Sequence, residues 1–422
     1  MNIEGVDPAE HRRPRPQLSR RRLLQGTLWA SAGLGVLPLL SACNDKSGAI
    51  SGTSAPYPLA RPDHPVKLPI KDSNAPIKDG MDPETGGVFQ ILNYDSYMAP
   101  GVMKAFGAKY NVDVQVTPYN NYDEMLSKIR APGESFDLVF PGPSVMSKMV
   151  YTDLIQPLNH SYIPNLKNVW PAYQDPWYDK GAQYTVPYTI YTTGVLYRAD
   201  RVSSVPENGY DLIWDKQYAG KIYVLDDMNE AIGMSLLRNG ITTDINTSDA
   251  SLVKKATDSL IELINAVNVK VNINGYSEVP EGTATVHQGW SGDMIAGQYY
   301  LPKGVTTDVL GYWVPKESSK RVTGSDTIAI PKSSKKPVLA HLFLNYLLDN
   351  AVSLRNFGWN GYQPPLTKLS APYLIDQGYI PKNFGSAVVV PDDFKTGLTF
   401  YEVSPSTQEM WRQYWSKFKA GG

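Results

Sequence analysis

Two acids three residues apart, Asp227 and Glu230, follow an apolar run, Lys221-Ile222-Tyr223-Val224-Leu225, that reads as a strand. Spaced i, i+3 across a strand-to-helix turn, both carboxylates can face one pocket. Asp293 stands in a similar setting, after Trp290-Ser291-Gly292 at the start of a helix. Carboxylates so placed can hold a cation. They also complement the positive end of a helix dipole, which is their ordinary structural explanation, and the residues alone leave both readings open. Gly292 beside Trp290 leaves room for ligand or backbone to approach closely. Catalysis has no comparable signal. The five histidines, His11, His64, His160, His287 and His341, are scattered, and no HExxH, GxSxG or phosphate-loop pattern occurs. No metal or cofactor is expected. An extracellular enzyme stays as an alternative because a dispersed triad need not show in sequence.

The one cysteine, Cys43, follows Leu40-Ser41-Ala42, which resembles a bacterial lipobox. Upstream, Ser19-Arg20-Arg21-Arg22-Leu23-Leu24 resembles a twin-arginine export motif. An apolar stretch from Leu28 to Leu40 follows it, broken by Gly33, Gly35 and Pro38. That stretch is too short and interrupted for a membrane span and reads as the apolar region of a removable signal peptide. Residues 1–42 are therefore expected to be a signal peptide. Cys43 is expected to be lipid-modified and to hold the chain at a membrane surface. A lone cysteine cannot form a disulfide within its own chain. Residues 43–85, rich in Ser, Pro, Gly, Asp and Lys, read as a flexible tether.

The body must position these groups. The chain has 422 residues, 42% hydrophobic and 19% charged, enough for two domains or lobes. Beyond residue 42 there are 34 basic and 38 acidic residues, so no basic footprint for nucleic acid exists. A strand is expected over 87–92, a helix from Pro100-Gly101 through Phe106, and a strand through the alternating Val112, Val114 and Val116. A helix over 123–131 and a short apolar strand over 136–140 follow. A second alternation begins at 221–225, with helices over 229–238 and 250–267 and strands near 269–273 and 284–287. Strands separated by helices imply an α/β fold with a mainly parallel sheet. Ser406-Thr407-Gln408-Glu409 has the capping-box pattern, and Trp411, Tyr414, Trp415 and Phe418 lie on one stripe after it, as expected of a helix docked on a lobe.

Over roughly residues 87–421 the chain resembles the polyamine-binding proteins of ABC importers, the spermidine and putrescine receptors of bacteria. The resemblance is carried by 93–101 (NYDSYMAPG), 136–141 (FDLVFP), Val186-Pro187-Tyr188 with Thr193-Gly194-Val195, 226–230 (DDMNE), 290–293 (WSGD), 326–331 (DTIAIP) and Gly361-Tyr362, in that order. It implies a two-lobed periplasmic-binding-protein-like fold of type II with a ligand cleft between lobes. One lobe would comprise 86–192 with 325–368, the other 193–324 with 369–422. Carried over, the ligand-contacting aromatics fall on Tyr94, Trp290 and Tyr362, with Tyr97 beside them. The ammonium-binding carboxylates fall on Asp227, Glu230, Asp293 and Asp326. The Trp-x-Gly-Asp pattern is closer to the putrescine receptor.

The chain departs from that pattern in the first cleft loop, where Asp95 stands one position early and Ser96 takes the acid's place. Gly324 replaces an aromatic two residues before Asp326, so one wall is expected to be thinner, and Ser144 stands where some members have an aromatic. The resemblance implies a monomeric, exported receptor on the outer face of the cytoplasmic membrane or in the periplasm. It would capture a small cation by lobe closure and deliver it to ABC permease subunits. A receptor for a sugar, an opine or an amino-acid-derived cation is the alternative within the same class.

Overall fold

The computed structural model describes residues 55–242 and 244–421. The export motif, the apolar stretch and Cys43 lie outside the described residues. Among the described residues, ten strands form one sheet: β1 (Val88–Asn93), β2 (Asp113–Pro118), β3 (Leu138–Val139), β4 (Ile155–Gln156), β5 (Thr185–Arg198), β6 (Ile222–Val224), β7 (Lys270–Val271), β8 (Val286–Trp290), β9 (Leu310–Trp313) and β10 (Val322–Pro331). Their order is β2-β1-β3-β10-β5-β8-β6-β7, with β4 on β10 and β9 on β5.

The wings are parallel: β2-β1-β3 on one side and β8-β6-β7 on the other. Between them β5 and β10 run antiparallel to each other and to their neighbours, which corrects the expectation of a mainly parallel sheet. The reason lies in β5. Its fourteen residues, TVPYTIYTTGVLYR, are dense in β-branched and aromatic types and buried along nearly their whole length. Such a strand carries no alternation to mark it, although its composition suits a sheet interior. Pro187, which has no N–H for the ladder, sits where the pairing with β10 slips: Asp326 faces Thr189, whereas Thr327 faces Pro187. A bulge of this kind re-aims the side chains around it, and here it falls at a predicted site acid.

One buried cluster runs from the β1 wing across to Tyr223, Met294 and Ile295 of the other, and a second lies on the β6 side. Phe89, Phe106 and Phe343 cluster on the β1 side, with the Phe89 and Phe343 rings stacked at 5.4 Å. Leu260, Leu263, Val286, Trp411 and Phe418 are buried together on the β6 side. The C-terminal helix Pro405–Lys419 is capped by Ser404, which accepts from Thr407 N, so the cap falls two residues before the expected capping box. Trp411 and Phe418 on its stripe are buried, and Trp411 Nε1 donates to the Thr247 carbonyl, consistent with docking.

Residues 55–85 correct the expectation of a flexible tether. Ala60 and Leu68 are buried with Met125, Met146 and Tyr178. Val66 N donates to the Trp177 carbonyl, and Asn74 Nδ2 to that of Ile155. Glu84 accepts from Val338 N and Leu339 N at the start of helix Pro337–Leu347. The segment has too few apolar residues to fold alone, but a preformed surface needs only two buried anchors and satisfied backbone groups to hold it.

Candidate ligand-binding site

The loop after β1 enters the cleft. Ser96 adopts left-handed backbone (φ +56°), and its carbonyl accepts from Trp359 Nε1 at 3.0 Å. Tyr97 is thereby turned inward. Its hydroxyl donates to Asp326 Oδ2 at 2.7 Å and also meets Thr189 Oγ1. Tyr122 donates to Asp326 Oδ1 at 3.1 Å. Two phenol donors thus hold the carboxylate that the β5–β10 bulge presents. Burial raises its pKa to about 6, against the lowering effect of those hydrogen bonds.

The β6 wing supplies the next pair. Asp227 caps helix Met228–Arg238 by accepting from Glu230 N. Glu230 Oε1 accepts from Trp290 Nε1 at 2.9 Å and from Thr193 Oγ1 at 3.0 Å. Burial, and then the negative charge of Asp227, push the Glu230 carboxyl up to about 8. Asp227 is raised too, again by burial first. Beyond β8, buried Asp293 accepts from the Tyr362 hydroxyl at 2.7 Å.

These groups line two adjoining chambers. The first, about 80 Å³, holds Asp293 and Asp326 among Tyr94, Tyr97, Trp290 and Tyr362, with Asp95 exposed at its edge. The second, about 50 Å³, holds Asp227 and Glu230 with Tyr122 and Ser144. Tyr94 and Trp290 line both. All nine residues singled out in the sequence therefore reach one chamber or the other. Asp95 lies outside the cap of helix Pro100–Tyr110, whose cap position is Ala99.

The structure adds residues that sequence reasoning missed. Tyr191, from the middle of β5, lines both chambers; Tyr122 and Thr193 hold site acids, and Tyr276 lines the first chamber. Gly324 does not thin the wall, because the Tyr191 ring occupies the space a side chain there would fill. At Gly292 the space a side chain would fill is taken by the Tyr362 ring.

A larger cavity, about 250 Å³, adjoins Asp227 on the side of Trp411 and Arg412. Its other acids already have partners: Asp123 pairs with Arg412, Asp226 with Lys419, and Glu402 accepts from Ser147 N and Lys148 N. The two aromatic chambers are the better ligand site, because among the described residues no lysine, arginine or histidine lines either one.

Two α/β wings joined by a pair of crossing strands, with a small cleft closed over by side chains from both, define a solute-binding receptor. The profile of the bacterial extracellular solute-binding protein family matches residues 101–378, well over half of the chain. The chain belongs to that family and is an exported solute-binding component. It is 26% identical over 340 residues to spermidine/putrescine-binding periplasmic protein 1 of Haemophilus influenzae, covering 78% of this chain and 88% of the relative. It is 25% identical over 334 residues to the spermidine/putrescine-binding periplasmic protein of Escherichia coli, covering 78% and 91%. The Tp0655 (TpPotD) lipoprotein of Treponema pallidum shares the fold with a TM-score of 0.66 at 22% identity, covering 78% of this chain and 99% of that one.

Proposed function

We propose that this chain is the substrate-binding lipoprotein of an ABC importer and that it captures a polyamine of the putrescine or spermidine kind. One observation carries the reading: four buried or half-buried carboxylates, Asp227, Glu230, Asp293 and Asp326, line chambers in which no described residue is basic. Buried ionised acids cost several kcal/mol each without a counter-charge, and a ligand bearing ammonium groups supplies it. The aromatic faces between the acids suit the rest of such a molecule. They attract each ammonium by about 0.5–2 kcal/mol and cover its methylenes.

The site is one for binding rather than turnover. His287, the histidine nearest in sequence to the site acids, is buried and stacked on Tyr223 outside the chambers, and burial lowers its pKa to about 4. Capture proceeds by closure, since a ligand touching both wings favours the state in which they meet, and only differential affinity shifts that population. The closed surface is what the permease subunits read. The receptor works as a monomer held at the membrane by acylated Cys43. Two measurements test this. Putrescine or spermidine should raise the unfolding midpoint of the purified protein where glucose does not. Metabolic labelling with a fatty acid should mark the wild type and not Cys43→Ser. Equal shifts with glucose, or labelling of the variant, refute the respective half of the proposal.

A further inference from the structure

The two chambers meet at Tyr191. In the β5–β10 ladder Tyr191 stands directly opposite Gly324. Its ring lies back over that glycine, so that a Cβ at 324 would come within 2.3 Å of Tyr191 Cζ and 2.4 Å of Cε2. Real Cβ atoms do not approach so closely; any side chain at 324 would evict the ring. The same ring meets Trp290 at 6.1 Å and 65° and Tyr362 at 6.2 Å and 83°, both edge-on arrangements of the kind aromatic pairs prefer. Tyr191 thus links Trp290 to Tyr362 in a row of rings reaching across the cleft. On one side lie Asp293 and Asp326, on the other Asp227 and Glu230.

We infer that Tyr191 is the specificity-determining residue of this cleft: seated on Gly324, its ring partitions the two chambers and confines the ligand to the one holding Asp293 and Asp326, selecting a short diamine over longer polyamines. The inference rests on the polyamine reading above and adds ligand length to it. A diamine has two ammonium groups, and the first chamber offers two buried carboxylates for them, with Asp95 solvent-exposed at its edge. A triamine has a third cation, whose natural partners, Asp227 and Glu230, lie beyond the ring. Burying that cation without them is strongly unfavourable, so the longer ligand binds only if the ring gives way. Selection then comes from an obstacle to the competitor as much as from contacts to the preferred ligand.

Calorimetric titration of the full chain with putrescine and spermidine tests this on the wild type, Tyr191→Ala, Gly324→Ala and Tyr191→Phe. The wild type should favour putrescine. Tyr191→Ala should move the spermidine-to-putrescine affinity ratio toward spermidine by about tenfold or more, equivalent to roughly 1.4 kcal/mol. Gly324→Ala should move it the same way without touching Tyr191, because the new Cβ displaces the ring. Tyr191→Phe, which keeps the ring, should restore the wild-type ratio relative to Tyr191→Ala. A wild type that binds amines while both alanine variants keep its ratio overturns the partition and leaves the polyamine reading standing. A wild type that binds neither amine overturns the polyamine reading and this assignment with it.

Discussion

The Tyr362 hydroxyl donates to Asp293 Oδ1 at 2.7 Å, while its ring lies against Gly292, one residue before that acid. The pair joins the turn after helix Asn350–Asn360 to the helix that follows β8 and fixes the orientation of a buried carboxylate in the first chamber. A Cβ at 292 would fall 2.3 Å from the Tyr362 ring. Gly292→Ala should therefore push the ring away, break the hydrogen bond and cost about 1–3 kcal/mol of stability through overpacking. Chemical denaturation measures the cost, and a titration should show weaker amine binding. An unchanged midpoint would mean that the ring is not seated on this glycine.

The raised carboxyls give binding a definite pH dependence. Asp326 is raised to about 6 and Glu230 to about 8, and an ammonium ligand binds the ionised forms. Affinity should rise as pH increases from 5 through 7 while Asp326 ionises, and for a ligand long enough to reach Glu230 it should go on rising through pH 8. Binding near pH 7 should release protons, which calorimetry in buffers of different ionisation enthalpy detects. Affinity that is flat from pH 5 to 8 would contradict the account.

Stability without ligand should run the other way. A carboxyl raised in the fold still holds its proton at pH values where the unfolded chain has lost it. The folded state then binds more protons, and stability falls as pH rises from the unfolded pKa toward the folded one. Asp179 (about 6) and Glu402 (about 7), both raised chiefly by burial, act in the same direction. His287, lowered to about 4, opposes them between pH 4 and 6.5 because its unfolded form takes up the proton there. The net loss should thus be clearest between pH 6.5 and 8, read from denaturant midpoints, and a saturating diamine should reduce it. Stability rising across that window would show that these carboxyls are not raised as described.

The packed segment 55–85 has a stability consequence of its own. Leu68 is 1% exposed. Leu68→Ala should cost about 2–5 kcal/mol, the usual range for a buried leucine. A merely tethering segment would tolerate the change with no shift in denaturation midpoint.

The parts readable in the sequence were those set by local spacing. Asp227 and Glu230 announce themselves because a strand, a cap and a helix lie within ten residues, and the cap bond from Glu230 N to Asp227 confirms that turn. The parts that were not readable depend on pairing across long separations. Tyr191 is one tyrosine among 27 until β5 is laid against β10 and Gly324 falls opposite it. The long central strands were missed because burial on both faces erases the alternation that marks a strand. Composition misjudged 55–85 for a related reason: it reports whether a segment can fold alone, not whether a finished surface will hold it.

The central claim is that the carboxylates of these chambers hold a small organic dication. Isothermal titration of the wild type and of Asp293→Asn with putrescine, spermidine, glucose and an amino-acid panel tests it most directly. The account predicts micromolar or tighter binding of at least one amine, about 8 kcal/mol or more, and a loss of about 2–5 kcal/mol in Asp293→Asn. If no di- or triamine binds better than about millimolar, or if a neutral sugar binds tighter than every amine, the account is wrong.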